Sequence, residues 1–169
     1  IVRHAGSLLP LKAGIEVSVA ATKSYTAQLT CLYLLGLALA SARGSLLPAE
    51  LGKLRDELWQ LPAKMEKALS EDGKVRAAAE RLKDYRQMIY IARGVNLPTA
   101  QEGALKLKEI SYVNANAYPA GELKHGPIAL LDEKMPLAAV LAPGGRVYDK
   151  MISNCEEARA RHAFLTGVS

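Results

Sequence analysis

Apolar residues in the first half of the chain recur at spacings that predict helices. The apolar run at residues 7 to 11 predicts a short buried strand. Residues 16 to about 42 suit one long helix, and Gly44 supplies the stop signal expected after it. A second helix is predicted over residues 48 to 69, with proline in its first turn and leucines at helical spacing. Residues 29 to 42 are the most apolar part of the first helix but fall short of the roughly 20 that span a bilayer, so we expect a buried helix there.

The pattern changes near Gly73, where we place a domain boundary that separates residues 1 to 73 from residues 74 to 169. Strand-like and helix-like segments alternate beyond it, which predicts an α/β fold with a parallel sheet flanked by helices. Ligands bind beyond the carboxyl ends of the strands in such sheets, so a site is expected at the turn at residues 93 to 96 and in the segment before Leu137. The predicted order is helix 75–84, strand 88–92, a turn at Gly94, helix 99–112, an irregular polar segment, strand 137–141, helix 147–161 and strand 163–166.

Composition narrows the class of protein. Half of the 169 residues are apolar, which allows a sizeable buried core. The 22 basic and 17 acidic side chains give a net charge of +5 but form no run of five like charges, which argues against a nucleic-acid-binding arm. Cys31 and Cys155 lack the spacing of a metal site or a disulfide framework, so we expect reduced thiols in a cytoplasmic protein.

Three charged residues fall on one face of the predicted helix 99–112. Glu102, Lys106 and Glu109 are separated by four and three residues, and their neighbours are apolar or small. Taken alone, this spacing favours a solvated face with intrahelical ion pairs over a catalytic cluster.

A second candidate lies in the polar segment that follows. His125 precedes Gly126 and Pro127, and such a tightly bent stretch can present an imidazole at a cleft. A histidine with a purely structural role explains the residue equally well at this point.

Two long motifs point to a family. The sequences EGALKLKEISY at residues 102–112 and AYPAGELKHGP at residues 117–127 resemble the isomerase (SIS, sugar isomerase) domain of glucosamine-6-phosphate synthases. The sequence AGIEVSVAATKSYTAQL at residues 13–29 is similar to the pattern AGxExxVAxTKxxTxQL of the same family. The resemblance implies a flavodoxin- or Rossmann-like SIS fold, of which the chain would hold the end of one subdomain and most of a second.

The resemblance also implies roles for particular residues. Glu109 would move a proton between C1 and C2 of fructose 6-phosphate, and Lys106 would assist proton movement at the hydroxyls and balance the carboxylate. His125 would open the sugar ring while reaching into the site of a neighbouring subunit, which makes a homodimer necessary for activity. Val19 and Ala21 match positions whose backbone lines the sugar pocket, whereas the motif gives no role for its glutamate, Glu16.

Other parts of the implied enzyme do not occur in the sequence. The serine- and threonine-rich phosphate loops and the Schiff-base lysine of the family are absent from the 169 residues, as is the glutamine-hydrolysing domain expected in a full-length chain. We therefore expect this segment to be inactive alone. The implied parent enzyme uses glutamine as nitrogen donor and a sugar phosphate as acceptor, without metal or other cofactor, nucleic acid or membrane.

Two alternatives remain open from the sequence. One is an SIS enzyme without a glutaminase half that deaminates or isomerises an amino-sugar phosphate. The other is a non-catalytic sugar-phosphate sensor, in which an enolising base such as Glu109 would have no use.

Overall fold

The computed structural model describes residues 4 to 169, which divide into two compact units. One unit ends at Asp72 and the other is Gly73–Ser169. The helices are α1 (Lys23–Arg43), α2 (Pro48–Trp59), α3 (Leu61–Leu69), α4 (Asp72–Leu82), α5 (Leu97–Ser111) and α6 (Gly145–Arg159), and the strands are β1 (Gln87–Ala92), β2 (Asn114–Pro119), β3 (Leu137–Val140) and β4 (Leu165–Val168).

The first unit is helical throughout its regular structure in the residues that can be described. The predicted stop of α1 is confirmed, because Gly44 adopts a left-handed conformation with φ of 61° and its N–H bonds to the carbonyls of Ala40 and Ser41. The predicted start at residue 16 is wrong. Glu16 instead folds back onto the amino end of the helix, which begins at Lys23.

Two further predictions for this unit are wrong. Residues 7 to 11 form no strand and leave Leu8 and Leu9 more than half exposed, since the described residues of the unit contain no strand with which they could pair. The single helix expected over residues 48 to 69 is two helices. Pro62 lacks the N–H that would continue α2, so α3 starts afresh at Leu61 with proline in its first turn.

The expectation that α1 is buried is also wrong, because none of its residues is buried. Its 21 residues are long and apolar enough, by length and composition, to cross a membrane, although core helices of soluble proteins have the same properties. Leucine and tyrosine side chains around the helix are exposed, since the described part of the unit has no sheet to cover them.

The second unit is the predicted α/β fold, which is confirmed. Its four strands are all parallel and run in the order β2-β1-β3-β4. The segment expected to be irregular after α5 contains β2, whose sequence Asn-Ala-Asn-Ala-Tyr-Pro has little intrinsic strand preference. Six residues of β2 pair with β1, so tertiary pairing decides the conformation of this segment.

Apolar side chains cover both faces of this sheet. Met88 and the half-buried Tyr90 of β1 face α5, whereas Ile89 and Ile91 point to the opposite face and pack with Met151 of α6. Helix α5 lies close to the sheet, since a Cβ at its Gly103 would lie 3.2 Å from the Tyr90 ring. The sheet therefore lies between α5 on one face and α6 on the other.

Parallel pairing determines which loops lie at the same edge. Ala92 at the end of β1 pairs with Pro119 at the end of β2, so the segments that follow both strands leave from the carboxyl edge of the sheet. Gly94 makes the turn after β1 with a φ of 57°, which glycine adopts without strain. The helix α5 then runs back along the sheet toward the amino end of β2.

The core of the second unit predicts a matched pair of leucine substitutions. Leu137 is fully buried between β1 and β4, whereas Leu130 is 55% exposed. Leu137→Ala should lower the free energy of unfolding by about 2 to 5 kcal/mol, and Leu130→Ala by less than about 1 kcal/mol. Urea titrations measure both values. Equal losses for the two variants would contradict the position assigned to β3.

Candidate active site

The charged residues predicted on α5 form one cluster. Lys106 Nζ lies 2.5 Å from Glu109 Oε2 and 3.5 Å from Glu102 Oε1. The side chains of Lys106, Glu102 and Glu109 keep only 20%, 23% and 28% of their accessible surface. Glu102 and Lys106 are therefore only partly exposed, whereas Glu109 as a whole residue is exposed and the ion pair lies at the surface of the unit.

The ion pair controls the charge of the cluster. The hydrogen bond that Lys106 donates to Glu109 raises the pKa of the Lys106 ammonium, and the charges of both glutamates act in the same direction. The lysine therefore stays protonated at neutral pH and offsets the negative charge beside it. A carboxylate held one helical turn from an ammonium is an arrangement suited to moving protons between adjacent carbons and their hydroxyls.

His125 lies on a different element. It ends the 3₁₀ helix Ala120–His125 that follows β2, and its side chain is exposed. Gly126 next to it has a φ of 149°, so the chain bends sharply directly after the imidazole. In the described part of the chain, no hydrogen bond or ion pair joins His125 to the cluster on α5.

The fold keeps Glu109 and His125 of one chain apart. Glu109 lies roughly 18 Å along the helix axis from the start of α5, close to the amino edge of the sheet. His125 follows the carboxyl end of β2, and the buried Leu123 two residues before it packs on the face covered by α6. The two residues therefore lie near opposite ends of the strands and on opposite faces of the sheet.

Val19 and Ala21 belong to the first unit, in the loop before α1. Val19 is 94% exposed, Ala21 is partly exposed, and Ala20 between them is buried.

The structure gives Glu16 a role that sequence reasoning did not assign. Its Oε2 accepts hydrogen bonds from the Ser24 backbone N–H at 3.0 Å and the Ser24 hydroxyl at 2.7 Å, with a longer contact of 3.4 Å to the Thr22 N–H. Lys23 Nζ donates to the Ile15 carbonyl at 2.5 Å. The carboxylate therefore occupies the amino end of α1, where the free backbone N–H groups of a helix attract anions.

No group of three or more histidine, cysteine, aspartate or glutamate side chains capable of holding a metal ion exists within residues 4 to 169.

Comparison with known proteins places the chain in a family. The family model of the SIS domain matches residues 81–167, which is more than half of the chain and includes β1, β2, β3, all but the last residue of β4, Lys106, Glu109 and His125. The chain belongs to the SIS domain family. This match also covers both segments of the second unit that carried the sequence resemblance.

Individual SIS relatives agree with this assignment. A glutamine–fructose-6-phosphate aminotransferase (isomerizing) of Thermococcus kodakarensis is 52% identical over 99% of this chain and 28% of its own length. The C-terminal domain of a glucosamine–fructose-6-phosphate aminotransferase from Francisella tularensis has a TM-score of 0.89 and 44% identity, over 92% of this chain and 44% of that one. This SIS chain thus spans little more than a quarter of the curated relative.

A more distant SIS structure shows the fold alone. Glucosamine-6-phosphate deaminase from Thermotoga maritima is 21% identical, with a TM-score of 0.66 over 92% of this chain and 44% of that chain. At that identity the shared architecture does not indicate a shared reaction.

Sequence reasoning missed one buried polar residue in this SIS domain. Asn154 of α6 is 4% exposed and stands in an apolar stripe with Met151, Cys155 and Ala158. The signal in the sequence is a polar residue at a position where helical spacing places apolar side chains in the core. A buried amide at such a position needs hydrogen-bond partners.

The contacts of Glu16 predict a pH-dependent contribution to stability. The hydrogen bonds from Ser24, together with that from Thr22, hold the pKa of Glu16 below its ordinary value of 4.5. The stabilisation that the Glu16 carboxylate contributes is therefore fully present above pH 4.5, and it is lost as the pH falls through the lower pKa of the folded state. Glu16→Gln should lower the free energy of unfolding at about pH 7, and the difference from the wild type should shrink at about pH 3.

Urea titrations of both proteins at the two pH values measure this difference. Glu66→Gln, at an exposed position of α3, serves as the control and should change the free energy of unfolding by less than about 0.5 kcal/mol. A Glu16→Gln effect of the same size at both pH values would contradict the contacts described for the carboxylate.

Proposed function

We propose that this chain is part of the isomerase portion of a glutamine–fructose-6-phosphate aminotransferase, which makes glucosamine 6-phosphate from fructose 6-phosphate and glutamine. The observation that carries the proposal is the Lys106–Glu109 pair on α5, in a chain 52% identical to an aminotransferase of that name. The activity is proposed for a longer protein, since the chain spans 28% of that relative.

The cluster on α5 suits the isomerisation step. Glu109 takes the proton from one of the two adjacent carbons C1 and C2 of the open-chain sugar and returns it to the other. Lys106, protonated and bonded to Glu109, lies where it can exchange protons with the sugar hydroxyls. A single base that keeps the transferred proton needs partial shelter from water, and the 28% exposure of the Glu109 side chain supplies it.

The placement of His125 supports a site shared between subunits. Its imidazole is exposed and follows the carboxyl end of β2, whereas Glu109 lies late in α5, and no described contact joins the two residues within one chain. In a homodimer His125 reaches the site of the partner subunit and opens the sugar ring there. The same arrangement makes the dimer necessary for activity.

Two residues of the first unit are proposed to bind the sugar. Val19 and Ala21 contribute backbone groups to the sugar site, and Glu16 holds the loop that carries them to the start of α1. We assign this unit to the end of a first SIS subdomain and the second unit to most of another. Under this proposal α1 is a helix of that subdomain and not a membrane span.

Cellular setting follows from the same chemistry. Both cysteines are free thiols, as expected for a protein of a reducing compartment, and we place the enzyme in the cytoplasm. The glutaminase domain that releases ammonia from glutamine is proposed to lie in the longer protein.

The relatives favour this reaction over the alternatives. The deaminase of the same fold is 21% identical, against 52% for the aminotransferase. A sensor domain has no need of a base that moves protons between carbons, whereas this chain holds a glutamate paired with a lysine at 2.5 Å.

The proposal predicts a large effect of one substitution in the complete enzyme. Glu109→Gln should reduce the rate of isomerisation by about a hundredfold to ten-thousandfold, because an amide cannot accept the proton. Binding of fructose 6-phosphate should change little, since the side chain keeps its size. Glu133→Gln, which changes an exposed glutamate of the same unit, is the control and should be fully active. Near-normal isomerisation by the Glu109→Gln enzyme would show that another group is the base.

A further inference from the structure

A chain of polar contacts links three elements of the second unit at the carboxyl edge of the sheet. Arg93 follows β1, and its Nε donates to Asn154 Oδ1 of α6 at 3.0 Å. Asn154 Nδ2 donates to Glu157 Oε2 at 3.2 Å, and Lys124 Nζ lies 2.7 Å from Glu157 Oε1. The contacts end at Lys124, the residue directly before His125.

The centre of this network is withdrawn from solvent. Asn154 is 4% exposed, and both polar groups of its side-chain amide have partners. Leaving either group without a partner would cost the full desolvation of that group, so the amide fixes the positions of Arg93 and Glu157. The hydrogen bond from Lys124 lowers the pKa of Glu157, which keeps this carboxylate charged and able to hold the lysine.

A second contact ties Arg93 to the same segment. The guanidinium packs so closely on Gly121 that a Cβ there would lie 3.2 Å from one of its terminal nitrogens. Leu123, between Gly121 and Lys124, is fully buried in the core beneath α6. The segment Ala120–His125 is therefore held at Gly121, Leu123 and Lys124, whereas His125 itself stays exposed.

We propose that Asn154 and Glu157 are positioning residues, which act through Lys124 to orient His125 for its reaction with the sugar. The proposal rests on the ring-opening role given to His125 in the proposed function. An exposed imidazole next to a sharp glycine bend has many orientations, and anchoring the preceding residue removes most of them. Neither Asn154 nor Glu157 needs to touch the substrate.

The test uses the complete enzyme, with kcat and KM for isomerisation of fructose 6-phosphate. Glu157→Gln weakens the contact with Lys124 and should lower kcat about threefold to tenfold, while KM stays within about twofold. The expected loss of kcat is modest because an exposed ion pair is individually weak. Glu156→Gln is the matched control on the same helix and should leave both constants unchanged.

A second pair of variants tests whether a loss of kcat in Glu157→Gln comes from a folding defect. Lys124 is 58% exposed, so its substitution should not disturb the core. Lys124→Met should lower kcat as much as Glu157→Gln, whereas Lys124→Arg keeps the ion pair and should stay close to the wild type.

Combination with His125→Asn separates a positioning role from a merely structural one. Spontaneous ring opening leaves the His125→Asn enzyme a residual rate of isomerisation. If Glu157 and Lys124 act only through His125, Glu157→Gln and Lys124→Met should lower that residual rate no further. The proposal is overturned if both variants keep the wild-type kcat, or if their losses multiply with that of His125→Asn. Normal isomerisation by His125→Asn alone would instead overturn the ring-opening role in the proposed function.

Discussion

Parallel pairing of β1 with β2 is the constraint on which the rest of the site depends. It sends the chain out of both strands at one edge of the sheet, and α5 must run back to the other edge before β2 can begin. The end of α5 is therefore separated from the residues that directly follow β2. Glu109 lies late in α5 and His125 ends the short helix after β2, and the proposal that two subunits share the site rests on this separation.

Polar contacts between side chains then fix the positions of individual side chains and loops, which the strand pairing alone does not determine. Lys106 keeps Glu109 paired on α5, and Glu16 binds the loop of the first unit to the start of α1. At the carboxyl edge the buried amide of Asn154 connects Arg93 with the segment that ends in His125. In each case a side chain or loop that is proposed to act at the sugar site is held by a polar contact with a neighbouring side chain.

The sequence was a good guide where local pattern and tertiary structure agree. Alternating strands and helices predicted the parallel sheet, and the spacing of Glu102, Lys106 and Glu109 predicted their shared face. It failed where tertiary contacts override local preference. The segment 114–119 became a strand only through pairing with β1, and α1 has the composition of a buried helix although its unit provides no cover. The contacts of Asn154 join residues 61 positions apart in the chain, which no local pattern reveals.

The proposal that two subunits share one site can be tested by combining two impaired subunits. In a full-length enzyme, Glu109→Gln and His125→Asn chains with different affinity tags are produced in one cell, and the mixed dimers are isolated. Each mixed dimer has one site with both residues intact, so it should regain about half of the wild-type isomerisation rate. Mixed dimers that are no more active than either parent variant would contradict a site built from both subunits.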